Sequence, residues 1–217
     1  MPGRNVIKQF EPDAAYHIYN RGVDKKIIFL DERDYAVFLS LLKYTIIQKD
    51  DQFDNSLVSE AQRYNFRRLN LAESVDLLAY CLMPNHFHLL VYQHSEDGIT
   101  KMMRSVATAY SMYFNKRYKR SGALFQGRYK ASRIHSDSYW QHISRYIHLN
   151  PLDVGDNYKS YPYGSFKAYS GEISVEWLNT DMILGNFSSV KEYVKFHDDY
   201  IPRRKELLDV KEMLANF

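Results

Sequence analysis

Cysteine is nearly missing from this sequence: Cys81 is the only one in 217 residues. That excludes an intrachain disulfide and any cluster of thiolate metal ligands, and leaves a buried small hydrophobe as the expected role of Cys81. No apolar run approaches the roughly 18 residues that span a membrane. The opening MPGRNVIKQFEP has no apolar stretch of the signal-peptide kind, so a cytoplasmic protein without a membrane partner is expected. Glycine and proline are sparse, at nine and six, and nowhere gather into a linker. Acidic residues are absent between Lys101 and Arg133, a segment that holds nine basic ones. The rest of the chain carries the other 20 basic residues against all 26 acidic ones, a net of −6. A solvated helix face would mix both signs, so this one-sided segment points to a polyphosphate partner.

What is present fits a globular protein: 45% hydrophobic, 25% charged and 15% aromatic, with 19 tyrosines. Along the chain, AAYHIYNRG (14–22) alternates apolar and polar positions and reads as a strand closed by Gly22. A helix opens at Asp31 with Tyr35, Phe38, Leu39, Leu42 and Ile46 on its apolar face, and residues 50–72 are polar without clear period. VDLLAYCL and HLLVY, parted by Met83, Pro84 and Asn85, predict a hairpin. From Ile99 to about Lys119 a second helix places Ile99, Met102, Met103, Val106, Tyr110 and Tyr113 on one face. GALFQGRYKASRI (122–134) reads as a fourth strand, and a third helix is expected from Ser138, with Gln141 at capping-box spacing, to Asn150 before Pro151.

The resulting β-α-β-β-α-β order is the ferredoxin-like split arrangement, an α+β fold with a mainly antiparallel sheet and an added helix near it. One unit over residues 1–155 is expected, with residues 156–217 as a C-terminal extension packed on or beside it.

His86 and His88 stand one residue apart after the Pro-Asn turn. With eight histidines in 217 residues, a His-x-His pair arises by chance about 0.3 times, so the pair alone is a weak motif. On a strand, however, both imidazoles share one face about 7 Å apart, close enough to bind one ion, while Phe87 points to the core. Further ligands would be oxygen or nitrogen from another element. A satisfied histidine pair packed in the sheet is the competing reading. On the third helix His142, Tyr146 and Asn150 recur every four residues, beside a stripe of Trp140, Ile143 and Ile147. Docking that stripe on the sheet would aim Tyr146 at the histidines, with the Asn150 amide one turn away. His17, His94, His135 and His197 have no partner spacing and read as surface or satisfied residues, while His148 lies on the third helix with His142.

PNHFHLL (84–90), LFQGRYKAS (124–132) and YIHLNP (146–151), in that order, resemble the single-tyrosine HUH transposases, in particular the REP-associated tyrosine transposases. YHIYNRG (16–22) and YPYGSFKAY (161–169) also resemble segments of that family, so the similarity spans about residues 14–170. The resemblance implies a ferredoxin-like domain that nicks and rejoins single-stranded DNA beside a hairpin. It implies His86 and His88 as metal ligands, Tyr146 as nucleophile, Asn150 as a further ligand where the family often has Gln, and Mg²⁺ or Mn²⁺ as the metal. It allows a homodimer in which Tyr146 serves the partner's site as well as a monomer that uses its own.

The basic segment suits the same partner. Arg104, Lys116, Arg117, Lys119, Arg120, Arg128, Lys130 and Arg133 could neutralise the DNA backbone, and Phe125 and Tyr129 could stack unpaired bases, although strand packing explains those two rings equally well. A ferredoxin-like RNA or single-stranded DNA binding module without catalysis explains the charge and the fold, but not the co-occurrence of the His pair with the Tyr146 helix.

Overall fold

The computed structural model describes residues 10–47, 69–134 and 137–204, with Asp137 and Ser138 described by their backbone alone. Strands β1 (Ala14–Arg21), β2 (Val75–Met83), β3 (His86–Gln93) and β4 (Lys130–Ile134) form one sheet in the order β2-β3-β1-β4. Every neighbouring pair is antiparallel, the ferredoxin-like order expected. Helices α1 (Glu32–Ile46) and α2 (Gly98–Arg117) cover one face.

Period-two alternation decides which side chains go where. Ile18, Phe87, Leu89 and Val91 are fully buried. Phe87 meets Phe38 of α1 at 5.1 Å between ring centroids, and Phe38 in turn meets Tyr110 of α2 at 5.1 Å. The six apolar positions predicted for α2 are all buried. Asp31 caps α1 as expected, its side chain accepting from the Asp34 backbone N–H. Asp34 itself is wholly buried and accepts hydrogen bonds from Tyr113, Tyr118, Arg117 and the Leu30 backbone, so its charge is fully engaged between the two helices.

The hairpin turn is Pro84-Asn85, and it is held from outside. The Pro84 carbonyl accepts from the backbone N–H groups of Ile28 and Phe29 at 2.8 and 3.1 Å, and the Asn85 carbonyl accepts from that of Gly22 at 2.9 Å. Gly22 is required there, because a Cβ would lie 2.1 Å from the Lys26 carbonyl oxygen.

Two expectations need correction. The fourth strand starts at Lys130 rather than at residue 122: Gly122 and Gly127 have positive φ (85° and 76°), so the chain turns twice before pairing, and Phe125 makes only an isolated bridge to Gly22. The third helix, α3, is α-helical over Asp137–His148 and tightens into a 3-10 turn over Asn150–Val154, since Pro151 disfavours the α conformation in the residue before it. The Ser138 side chain expected to cap α3, and most of the polar stretch 50–72, lie outside the described residues.

Helix α3 packs against β2, β3 and β4 on the face opposite α1 and α2. Its buried positions include polar ones, Ser144 and His148, besides Ile147. Their partners come from later in the chain: His148 bonds Ser165 at 2.8 Å and Tyr193 at 3.0 Å, and Tyr193 donates to Ser144 at 3.2 Å. Tyr193 belongs to α6 (Val190–Asp198), which follows the short helices α4 (Phe166–Tyr169) and α5 (Asp181–Leu184). The same segment covers the outer edge of β2, where Leu82, Tyr80 and Leu77 exchange backbone hydrogen bonds with Tyr163, Ser165 and Asn179. Cys81 is buried there, as expected.

Candidate active site

His86 and His88 project from β3 on the α3 side of the sheet, with ring centroids 5.0 Å apart and planes at 88°. The turn before the strand sets the first of them. Asn85 donates its amide N–H to the Lys25 carbonyl, which leaves its side-chain oxygen against His86 Nδ1 at 2.6 Å. Nδ1 of His86 therefore carries the proton and Nε2 keeps its lone pair. Burial lowers the pKa of His86, opposed by a hydrogen bond with Asn150 and by Asp153. Burial also holds His88 well below the usual histidine range, with His17 and His86 adding to the effect. Both imidazoles are thus neutral, the form that binds a metal ion.

Tyr146 stands over this pair. Its ring is edge-on to His88 at 5.4 Å and to His17 at 5.7 Å, and 45% of its surface is exposed. Burial of the phenol raises its pKa, as does Asp153, while Arg204 and a hydrogen bond with Asn150 act the other way. Asn150 is buried, and its amide donates to the Tyr146 carbonyl at 2.8 Å, so the side-chain oxygen remains as an acceptor beside His86. The His pair, Tyr146 and Asn150 named from sequence are therefore brought together. His142, which shares the helical period, is exposed and bonded to Arg145 instead.

These donors fit a small divalent cation: two neutral imidazoles from β3 and one amide oxygen from the turn after α3. Among the described residues no three His, Cys, Asp or Glu side chains form a metal-ready cluster, so Asn150 and solvent or substrate oxygens would have to complete the set. A cleft of about 500 Å³ opens beside the histidines, lined by Tyr19, Asn20, Arg21, Lys25, Asn85, His86, His88, Gln126 and Lys130. Its rim is cationic. On the other side of Asn20 a second cleft of about 320 Å³ carries Arg104 and Arg128.

Of the basic segment, Lys130 lines the first cleft and Arg104 and Arg128 the second. Arg104, Lys116, Lys119, Arg128, Lys130 and Arg133 are exposed, although Arg133 pairs with Glu11 at 2.5 Å. Arg120 lies 5.5 Å over the Phe114 ring. Arg117 is half-buried and committed to Asp31 and Asp34 at 2.5 and 2.8 Å, so its charge is paired between α1 and α2. Phe125 and Tyr129 are buried, Phe125 edge-on to Phe87 at 5.8 Å and Tyr129 parallel to Phe10 at 6.4 Å. Of the two readings open for these rings, packing is the one this conformation displays.

Sequence reasoning missed His17, Tyr19 and Asn85. His17 Nε2 lies 2.9 Å from His88 Nδ1, and Tyr19 is paired with His88 across the β1–β3 ladder. The alternation of β1 already placed His17, Tyr19 and Arg21 on one face. Only the register with β3 reveals that this face holds the His pair.

Among solved structures, a REP-associated tyrosine transposase bound to a REP hairpin superposes with TM-score 0.53 at 12% identity, over 82% of this chain and 92% of that one. A candidate transposase from Deinococcus radiodurans R1 reaches TM-score 0.35 at 16% identity, over 68% of this chain and 95% of that one, too loose a fit to bear on the fold. No curated protein matches. The family model for IS200-like transposases matches residues 42–150, half of the chain and the span that holds His86, His88, Tyr146 and Asn150. The protein belongs to the IS200-like transposase family.

Proposed function

We propose that this transposase nicks and rejoins single-stranded DNA next to a hairpin through a covalent 5′-phosphotyrosine on Tyr146. The observation that carries the reading is Tyr146 itself: a partly exposed tyrosine on a helix packed on the sheet, edge-on to its own chain's His88. That placement supports a site completed within one chain.

The Tyr146 oxygen attacks the scissile phosphorus in line, and the bond to the 3′ oxygen breaks. The phosphate stays on the tyrosine through its 5′ side, and the departing oxygen becomes a free 3′-OH. The phenol, with an ordinary pKa near 10 that burial and Asp153 push further up, is protonated near neutral pH, so its proton leaves as the new bond forms while the departing 3′ oxygen takes one up. A Mg²⁺ or Mn²⁺ ion held by His86, His88 and Asn150 would polarise the phosphate and offset the charge that develops there. Because the phosphoester is stored on the protein, the 3′-OH of another strand can reverse the step without ATP. The cationic rim formed by Arg21, Lys25 and Lys130 leads the backbone to the histidines, and Arg104 and Arg128 extend that track past Asn20. A hairpin partner is suggested by the REP hairpin bound in the structural relative.

Incubation with Mn²⁺ and labelled hairpin oligonucleotides carrying single-stranded flanks tests this directly. A label retained on the Tyr146 peptide after denaturation is expected. Tight binding with neither nick nor adduct would replace the reading with a non-catalytic nucleic-acid binding module.

A further inference from the structure

We infer that His17 is a positioning residue for His88, fixing the tautomer in which Nε2 of His88 is free to bind an ion. This rests on the proposed metal role of His88, whereas the hydrogen bond between the two rings does not. His17 Nε2 and His88 Nδ1 are 2.9 Å apart, so one nitrogen donates and the other accepts. Two arrangements satisfy that geometry. If His17 donates, His88 carries its proton on Nε2 and cannot ligate through it. If His88 donates from Nδ1, its Nε2 lone pair is left free, and His17 carries its own proton on Nδ1. Only the second arrangement gives His88 the same donor atom that the Asn85 oxygen already gives His86. The two imidazoles of β3 would then face the site alike, each steadied through its far nitrogen by a different neighbour.

The ladder shows how the sequence builds this contact. Tyr19 is directly opposite His88 in the β1–β3 pairing, and His17 is the next residue on the same face, diagonal to it. The His17 and His88 rings lie nearly parallel, with centroids 5.1 Å apart and planes at 21°, a geometry in which edge nitrogens can meet. Tyr19 at 5.1 Å and Tyr146 at 5.7 Å hold the His17 ring from two further sides. Removing the acceptor would leave a buried His88 N–H without its partner and let the ring flip or change tautomer.

The test is long-range 15N–1H NMR of the histidine rings in the metal-free full chain, followed by Mn²⁺ titration. In the wild type His88 is expected as the Nδ1–H tautomer. In His17→Ala that signal should shift toward the Nε2–H form and Mn²⁺ affinity should fall by roughly 10- to 100-fold. His17→Gln, whose amide oxygen can still accept, should restore the Nδ1–H tautomer and most of the affinity. An Nε2–H tautomer in the wild type, or unchanged tautomer and affinity in His17→Ala, would overturn the proposal. So would pulsed EPR showing three imidazoles on the bound Mn²⁺, since His17 would then be a ligand. If the wild type binds no Mn²⁺ while the tautomer result holds, it is the metal reading that fails and not the His17–His88 hydrogen bond.

Discussion

The ring of Tyr146 meets that of His88 edge to face, at 5.4 Å and 82°, across the gap between α3 and the sheet. Two motifs about sixty residues apart in sequence thus meet on the face opposite the main core.

Tyr146→Phe removes one oxygen and leaves the ring in place. It should abolish the covalent DNA adduct while hairpin affinity stays within about twofold and stability within about 0.5 kcal/mol. Denaturing gels and thermal melts check both halves. A persistent adduct would show that another residue is the nucleophile.

Replacing His86 and His88 together by Ala should eliminate Mn²⁺ binding and cleavage but spare DNA binding, which rests on the cationic rim. Calorimetric titration with Mn²⁺ and a nicking assay separate the two effects. Cleavage at the wild-type rate would remove the metal role from this pair.

Arg117 and Arg128 should behave oppositely. Arg117→Ala strips the buried Asp34 of its cation and should cost about 3 kcal/mol of stability. Arg128→Ala, on the exposed loop, should leave melting unchanged and lower the slope of log affinity against log salt by about 1. Equal melting temperatures for the two variants would contradict the division of the basic segment.

Stability should fall in mild acid. His197 is buried against His148, Tyr158, Phe166 and Tyr193, with Arg145, Lys159 and Asp198 nearby, and burial pushes its pKa down to about 4. His148 is likewise pushed well below the usual range by burial and by His197. Both are neutral when folded, so the unfolded chain takes up protons first as pH drops below 6.5. Each histidine then removes about 1.4 kcal/mol per pH unit until the folded form also titrates, near pH 4 for His197. His197 Nδ1 donates to the Tyr193 carbonyl while Nε2 finds no partner among the described residues. His197→Phe should therefore flatten the slope between pH 6.5 and 4 at little cost near pH 7, as urea melts at several pH values will show. An unchanged slope would clear His197 of any part in it.

The legible parts of the fold were those with a clean period. The faces of α1 and α2 and the co-facing of His86 and His88 follow from spacings of 3.6 and 2, and the Pro84-Asn85 hairpin from its turn residues. The stretch 122–134 misled because Phe125 and Tyr129 look like strand residues, yet they reach the core from a loop turned by Gly122 and Gly127. Arg117 could not be told from its basic neighbours, because its partner Asp34 lies 83 residues away. His17 was invisible for the same reason: its partner is set by the pairing of β1 with a strand 71 residues on, and no local pattern records that register.

The polar seat of α3 has a consequence for how the protein is made. The sheet and its two histidines are complete once residue 134 has been synthesised, and Tyr146 follows shortly after. Yet His148 bonds Ser165 and Tyr193, Tyr193 also donates to Ser144, and the Leu149 carbonyl and Asp153 accept from Arg204, all from later in the chain. On the ribosome α3 therefore lacks these hydrogen bonds until some sixty residues beyond Tyr146 have emerged, so a nascent or prematurely ended chain holds the histidine face before the helix that carries Tyr146 has its full set of partners.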